Sequence, residues 1–175
     1  QSYVMRAKPG PVAKLLPSAH AVEREFAVMN GLAGTDVPVA RMYCQCADES
    51  VIGRAFYVME FVQGRVMWDQ ALPGLNNTER GAIYDEMNRV IAALHTVKFA
   101  ERGLAGYGKP GNFFERQIGR WSKQYVASIT QPIDEMDQLM EWLPAHIPLS
   151  GRDEKMVSIV HGDYRLDNLM FHPTE

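Results

Sequence analysis

Long apolar runs, an excess of basic residues and a set of cysteines are all missing from this sequence. The chain has only two cysteines, Cys44 and Cys46, with one residue between them. On an extended segment their side chains would point to opposite faces, so we expect no disulfide between them. Two free thiols suit a reducing compartment, and we predict a cytoplasmic location.

Two further classes of protein are disfavoured by what is absent. No apolar run approaches the roughly 20 residues that cross a bilayer, and the start lacks the basic flank and apolar stretch of a signal peptide. The formal net charge is -3, whereas duplex nucleic acid and anionic membranes require a concentrated positive face. We therefore predict no nucleic-acid partner and no membrane span.

The composition is that of a globular protein, because 46% of the 175 residues are hydrophobic and 22% are charged. In the first third of the chain, Tyr3 to Arg6 is β-prone, and helical spacing of apolar residues predicts a helix from Ser18, as N-cap, to about Leu32. The runs from Met42 to Cys46 and from Ala55 to Val62 are separated by a polar turn, which predicts a hairpin.

After Gly64 the pattern becomes mainly helical. We predict a helix capped by Asn77 or Thr78 and ending near His95, a second from about 113 to 128, and a third from 133 to 143 that Pro144 ends. The β-branched run from Met156 to Val160 then predicts a strand that leads into His161, and residues 168–171 resemble a short following strand.

The segment His161-Gly162-Asp163-Tyr164-Arg165-Leu166-Asp167-Asn168 carries the chemistry. Phosphoryl transfer needs a carboxylate near the attacking hydroxyl and oxygen ligands that hold magnesium against the nucleotide phosphates. Asp163 can orient the hydroxyl and accept its proton, and the amide oxygen of Asn168 is a hard, neutral ligand for magnesium. Gly162 permits the tight loop, and we expect the His161 side chain to brace it by hydrogen bonding to backbone.

Two other interpretations of this segment remain open at the level of residues. It is also compatible with a simple turn after a strand. A metal-dependent hydrolase is the sharper alternative, with His161, Asp163 and His172 as ligands of zinc or iron, although no second ligand cluster occurs in the sequence.

The segment resembles the catalytic loop of the aminoglycoside phosphotransferase and choline kinase superfamily, and the rest of the chain follows that superfamily's order. The resemblance implies an α+β, protein-kinase-like fold of two lobes, with a small antiparallel sheet in the N-lobe and a mainly helical C-lobe. It also implies ATP and Mg²⁺ as cofactors. The catalytic residues it implies are Asp163, His161 and Arg165, with Asn168 as the metal ligand.

The same resemblance assigns a phosphate-contacting cation to the first strand. Arg6 stands where lysine is usual, which replaces a compact point charge by a planar fork. Lys8 is the weaker candidate for this role. Glu25 resembles the carboxylate that pairs with this cation, and its spacing relative to the apolar residues of the helix favours it over Glu23.

The stretch from Tyr57 to Gly64 resembles the segment that joins the two lobes. The resemblance implies that backbone groups of Glu60, Phe61 and Val62 hydrogen-bond adenine. It also implies an N-lobe over residues 1–63 and a C-lobe over residues 64–175.

Within the superfamily, the sequence is most similar to the branch associated with acyl-CoA dehydrogenases. Four segments carry this likeness: residues 16–25, 56–61, 116–121 and 161–168. The likeness implies ATP-dependent phosphorylation of a small-molecule alcohol, a hydroxyacyl-CoA among the candidates, and an acyl-CoA dehydrogenase as a partner. It does not imply a flavin site.

We expect the acceptor pocket beside Asp163, built from the helical segment that carries four side chains at helical spacing: Arg116, Arg120, Trp121 and Lys123. Cations there suit the phosphates of coenzyme A, whereas a polycationic aminoglycoside would prefer an acidic groove. A solvated helix face explains the same pattern.

Two parts of the superfamily pattern are not in this sequence: the glycine-rich hairpin before Tyr3 and a second metal-binding aspartate after the loop. We therefore expect a chain that is truncated at both ends, inactive by itself and active as part of a longer protein. The alternative function is a pseudokinase-like domain that docks a nucleotide or a dehydrogenase partner, and arginine at position 6 keeps that alternative open.

Overall fold

The computed structural model of the chain describes residues 2–9, 21–109 and 111–174. Its strands and helices are, in chain order, β1 (Tyr3–Ala7), α1 (Val22–Leu32), β2 (Met42–Cys46), β3 (Phe56–Glu60), α2 (Asn77–Thr96), α3 (Phe113–Ser128) and α4 (Asp134–Ala145). Short 3-10 turns lie at Phe99–Arg102, Leu149–Arg152, Glu154–Met156 and Leu166–Asn168. None of the helices in these described ranges has the length and apolarity needed to span a bilayer.

The chain divides into two compact units, residues 1–107 with 158–175 and residues 108–157. The first unit contains the sheet, α1, α2 and the loop 161–168, and the second contains α3 and α4. The expected lobes, residues 1–63 and 64–175, come from the resemblance to the superfamily and not from compactness. They stay a prediction.

The three strands form one antiparallel sheet in the order β1-β3-β2. The predicted hairpin is present, with Cys46 opposite Phe56 and an irregularity between Met42 and Cys44. On the other side of β3, Arg6 of β1 pairs with Tyr57. The first strand therefore lies beside β3, which begins the segment from Tyr57 to Gly64 that we predict to be the hinge between the two lobes.

Helix α1 packs its apolar stripe on this sheet. Val22 is fully buried with Ala55 and Tyr57, and Phe26 and Met29 pack against them. The helix begins at Val22 with Ala21 as its N-cap and without a side-chain cap. The predicted N-cap, Ser18, lies outside the described residues.

Helix α2 contributes residues to two apolar clusters of the first unit. A capping box fixes its start, because the Asn76 side chain accepts from the Glu79 N–H at 3.0 Å and Glu79 accepts from the Asn76 N–H at 2.8 Å. The cap is thus Asn76 rather than Asn77 or Thr78. Ile83, near the start of the apolar stripe, packs with Leu166 of the loop 161–168, whereas Leu94 packs with the core around Leu32.

Two expected strands are absent among the described residues. Residues 157–160 belong to no strand or helix, and Ile159 is instead buried in the core with Leu32 and Leu94. In the run 168–171, Leu166–Asn168 is a 3-10 turn and only Phe171 pairs, in an isolated bridge with Arg65. β-branched residues favour a strand, but a strand forms only where a neighbouring strand is available to pair with it.

The second unit is a pair of helices followed by a short turn. A groove of about 310 Å³ is lined by residues of both helices and of the connection after them: Glu115, Ile118, Gly119, Ser122, Met140, Pro144 and Ile147. The predicted end of α4 at Leu143 is wrong, because Pro144 lies inside the last turn and the helix ends at Ala145.

Candidate active site

The loop 161–168 is anchored to α2 by two contacts of different kinds. Leu166 is fully buried against Ile83, and the Tyr164 hydroxyl donates a hydrogen bond of 2.8 Å to the carbonyl oxygen of Met87. Burial raises the pKa of Tyr164, so its hydroxyl remains a donor at neutral pH. The loop is therefore fixed at its centre, while Asp163, Arg165 and Asn168 remain exposed.

The first turn of the loop is shaped by Gly162 and His161. Gly162 has φ = 87°, a left-handed conformation that glycine adopts without a Cβ clash. The Asp163 N–H donates to Nδ1 of His161 at 3.3 Å, so the imidazole braces backbone. Partial desolvation lowers the pKa of His161, although the Asp163 carboxylate acts in the opposite direction. The neutral ring with an accepting Nδ1 is thus favoured.

Asp163 and Asn168 face each other. The Asn168 amide nitrogen donates to the Asp163 carboxylate at 2.7 Å and to the Asp163 carbonyl oxygen at 3.0 Å. With the nitrogen used in this way, the amide oxygen is the end of Asn168 that is left for a cation. The Asp163 side chain is 67% exposed, so its carboxylate is open to a substrate.

Arg165 lies between two carboxylates of the loop. Its Nε is 3.4 Å from Oδ1 of Asp163, and its Nη2 is 3.1 Å from Oδ2 of Asp167. Asp167 also accepts from the side chain of Gln70 at 3.4 Å. Arg165 thus contacts the predicted base directly and is itself oriented by a second acid.

The segment after the hinge is joined to the segment after the loop. Arg65 and Phe171 exchange backbone hydrogen bonds of 2.8 and 2.9 Å, and the Arg65 Nε donates to the carbonyl oxygen of His172 at 3.0 Å. A Cβ on Gly64 would lie 2.3 Å from Cγ of Met170 and 2.8 Å from the Phe171 carbonyl oxygen. Only glycine permits this approach, which joins the segment after β3 to the segment that follows the loop 161–168.

Arg6 and Glu25 form an ion pair between β1 and α1. The Arg6 Nε is 2.9 Å from Oε2 of Glu25, and the two side chains are 50% and 29% exposed. A partly exposed pair of this kind contributes only about 0–1 kcal/mol to stability. Its placement is better explained by the orientation it gives to the guanidinium than by the stability it adds.

The two weaker candidates form a pair of their own. Lys8 donates to the Glu23 carboxylate, and this hydrogen bond lowers the pKa of Glu23. The structure therefore separates two cation–carboxylate pairs, Arg6 with Glu25 and Lys8 with Glu23.

The predicted adenine-binding residues lie at the end of β3 and directly after it. The Glu60 N–H donates to the carbonyl oxygen of Arg41 at 2.8 Å, so this N–H is already used. Phe61 and Val62 follow the last strand residue and are 50% and 39% exposed. Within the described ranges their backbone groups take part in no hydrogen bond of the fold, which leaves them accessible to a ligand.

The cationic side chains expected at the acceptor pocket lie on α3 of the second unit. Arg116 is directed to the start of its own helix, because its guanidinium donates to the carbonyl oxygens of Lys109, at 2.8 Å, and Gly111. Arg120, Trp121 and Lys123 are exposed. Arg116 therefore has a local structural contact, and the acceptor pocket beside Asp163 stays a prediction.

The chemistry of the donors fits magnesium better than zinc or iron. In the part of the chain that the structure describes, no group of three or more His, Cys, Asp or Glu side chains is arranged to hold a metal ion. The hydrolase alternative with His161, Asp163 and His172 thus lacks its ligand cluster. Asn168 and Asp163 offer amide and carboxylate oxygens, the hard donors that Mg²⁺ takes alongside nucleotide phosphates.

The family model described as "Phosphotransferase enzyme family" matches residues 1–175, the entire chain. The chain belongs to this phosphotransferase family. A crystal structure from Ralstonia eutropha JMP134, provisionally assigned as an aminoglycoside phosphotransferase, superimposes with a TM-score of 0.89 at 65% sequence identity. It covers 100% of this chain, which spans 50% of that one. The expected α+β, kinase-like fold is confirmed.

Among curated proteins, relatives of this phosphotransferase-family chain carry dehydrogenase names. It is 46% identical over 170 residues to acyl-CoA dehydrogenase family member 10 of Mus musculus, covering 97% of this chain and 15% of that protein. It is 44% identical over 175 residues to acyl-CoA dehydrogenase family member 11 of Homo sapiens, covering 100% of this chain and 22% of that protein. The expected association with the acyl-CoA dehydrogenase branch is confirmed at the level of relatives.

Sequence reasoning did not identify several residues of this phosphotransferase-family site. The sequence places Tyr57 only in the segment that joins the two lobes, yet its hydroxyl donates to Oε2 of Glu25 at 3.0 Å. The signal was available, because a tyrosine on the inward face of a strand needs a polar partner for its hydroxyl. No local pattern in the sequence predicts the contact of Tyr164 with Met87 or the pairing of Arg65 with Phe171, because both depend on residues far apart in the chain.

Proposed function

We propose that this chain belongs to an ATP-dependent phosphotransferase that transfers the γ-phosphate to a hydroxyl group of a small molecule. The observation that carries the proposal is the convergence of Asp163 and Asn168, joined by hydrogen bonds of 2.7 and 3.0 Å within one anchored loop. Family membership supports the same class of enzyme.

In the proposed reaction, Asp163 orients the acceptor hydroxyl and takes its proton. The hydroxyl oxygen forms a bond to the γ-phosphorus while the bond from that phosphorus to the β–γ bridging oxygen breaks, and ADP leaves. Magnesium, when bound, neutralises charge on the phosphates. Asn168 would supply an amide oxygen to the ion, and the exposed position of the Asp163 carboxylate favours access for the acceptor.

The nucleotide is proposed to lie against the hinge and Arg6. The exposed Phe61 and Val62 would offer backbone groups to adenine. Arg6, oriented by Glu25, would offer its planar fork to phosphate oxygens, a geometry that arginine provides and lysine does not.

A hydroxyacyl-CoA is the acceptor that we propose. Support comes from the names of the relatives, which refer to acyl-CoA dehydrogenases. The exposed cations Arg120 and Lys123 on α3 are compatible with an anionic acceptor and unfavourable for a polycationic one. An acyl-CoA dehydrogenase as a partner is part of the same proposal.

A pseudokinase-like scaffold is the second candidate, and one observation favours it: arginine occupies position 6, where lysine is usual. Such a domain would bind a nucleotide or a dehydrogenase without transferring phosphate.

ATP consumption by the full-length protein separates the two functions. We expect turnover with a hydroxyacyl-CoA, and little with aminoglycosides or choline-like alcohols. The Asp163→Ala variant should lose about 10²–10⁴-fold in kcat, the range of general-base catalysis. The matched control is Asp48→Ala, in the turn between β2 and β3, which should keep wild-type turnover. Equal turnover by wild type and Asp163→Ala would remove Asp163 from its role, and nucleotide binding without turnover would favour the scaffold.

A further inference from the structure

Tyr57 is almost completely buried yet carries a polar atom. It is 1% exposed and packs in the apolar cluster between α1 and the sheet, with its ring 6.2 Å from that of Phe26. In the register of the sheet it is the direct partner of Arg6. A hydroxyl in such surroundings requires a partner, since an unpaired one would keep the full cost of its desolvation.

The partner of that hydroxyl is the carboxylate that holds Arg6. The Tyr57 hydroxyl donates to Oε2 of Glu25 at 3.0 Å, and Nε of Arg6 lies 2.9 Å from the same oxygen. Burial and the adjacent Glu25 carboxylate raise the pKa of Tyr57 to about 12. The hydroxyl is therefore protonated, and able to donate, throughout the neutral pH range.

Arg6 needs such support because its side chain is 50% exposed and would otherwise sample many rotamers. Binding of its Nε to Glu25 leaves the two terminal nitrogens of the guanidinium for another acceptor. The Tyr57 ring is immobilised by packing, so its hydroxyl restricts which oxygen and which orientation Glu25 presents to Arg6.

We infer that Tyr57 is a positioning residue, whose hydroxyl fixes the Glu25 carboxylate so that Arg6 is held through Nε and its terminal nitrogens turn toward the nucleotide phosphates. The second half of this inference rests on the proposed function. Tyr57 itself touches neither nucleotide nor acceptor, and it acts only through Glu25 and Arg6.

The first test uses Tyr57→Phe in the full-length protein, which removes the hydroxyl and keeps the ring. We expect KM for ATP to rise about tenfold, the loss of one hydrogen bond to a charged group, and KM for the acceptor to stay unchanged. Tyr43→Phe is the matched control, because Tyr43 lies on the exposed face of β2 against Tyr3. It should leave both constants at wild-type values.

A double-mutant cycle separates positioning from mere packing. If Tyr57 acts through Glu25, Tyr57→Phe should have no further effect on KM for ATP in a Glu25→Ala background. Additive effects of the two substitutions, or equal rises in both KM values, would overturn the inference.

A second readout does not depend on catalysis. Crystal structures of the full-length protein should show the Arg6 Nε about 2.9 Å from Oε2 of Glu25 in the wild type and in Tyr43→Phe. In Tyr57→Phe this contact should be lost, or the Arg6 side chain should occupy several rotamers. An unchanged Arg6–Glu25 contact in Tyr57→Phe would overturn the first half of the inference. If the wild type binds no nucleotide, the proposed function and the second half fail together, whereas this comparison still decides the first half.

Discussion

At the scale of single residues, polar contacts rather than burial define the surroundings of Asp163. Its side chain is 67% exposed, but Asn168, Arg165 and the Nδ1 atom of His161 contact its carboxylate or its backbone. The carboxylate is thus oriented and still accessible, which is what a base for a small-molecule alcohol requires.

The hydrogen bond from the Asp163 N–H to His161 gives a pH-dependent prediction. Partial desolvation lowers the pKa of His161 below its usual value of 6.5, so Nδ1 is unprotonated and accepting at pH 7. Because the pKa is lower in the folded state, the associated stability is fully present above about pH 6.5 and is lost on acidification below it. We expect hydrogen-exchange protection of the Asp163 amide to be constant from pH 8 to 7 and to fall below about pH 6.5.

His161→Asn is the control for this measurement, because asparagine accepts from the N–H two residues later without titrating in this range. Its protection should stay flat with pH. A wild-type profile that changes above pH 7 would contradict a lowered pKa for His161.

At the scale of secondary-structure elements, the loop and the hinge are held by one backbone pairing. Gly64→Ala would place a Cβ 2.8 Å from the Phe171 carbonyl oxygen, so the Arg65–Phe171 pair must move. Overpacking of this kind costs about 1–3 kcal/mol. We expect hydrogen-exchange protection of the Arg65 and Phe171 amides to fall by roughly 5- to 150-fold as a result.

The same substitution at Gly81 is the control, because nothing lies within 4 Å of a Cβ at that position of α2. Gly81→Ala should stabilise the helix by about 0.5–1 kcal/mol and leave the two amides unchanged. Equal protection of these amides in Gly64→Ala and wild type would show that the pairing tolerates a side chain.

Elements with a local signal were predictable from sequence, and those that depend on distant partners were not. The apolar spacing of α1 predicted a helix, and the two apolar runs around a polar turn predicted the β2–β3 hairpin. Both patterns are local properties of the sequence. The run 156–160 has strand composition but contributes Ile159 to the core instead. The motif 161–168 marked the loop, but the contacts of Tyr57 and Tyr164 required the fold.

At the scale of the whole molecule, this chain spans only a small part of the curated relatives that it matches. It spans 15% of the mouse relative and 22% of the human relative. Substrate, partner and turnover therefore stay proposals. What the chain itself contains is a kinase-like fold, an Arg6–Glu25 pair and a loop in which Asp163 and Asn168 meet.

The most direct test of the account is a crystal structure of the full-length protein with ADP and magnesium. The account predicts the Asn168 amide oxygen at about 2.1 Å from the metal, the usual Mg–O distance, with adenine against Phe61 and Val62 and the β-phosphate within reach of Arg6. A nucleotide bound elsewhere, or an Asn168 side chain turned away from the metal, would contradict it.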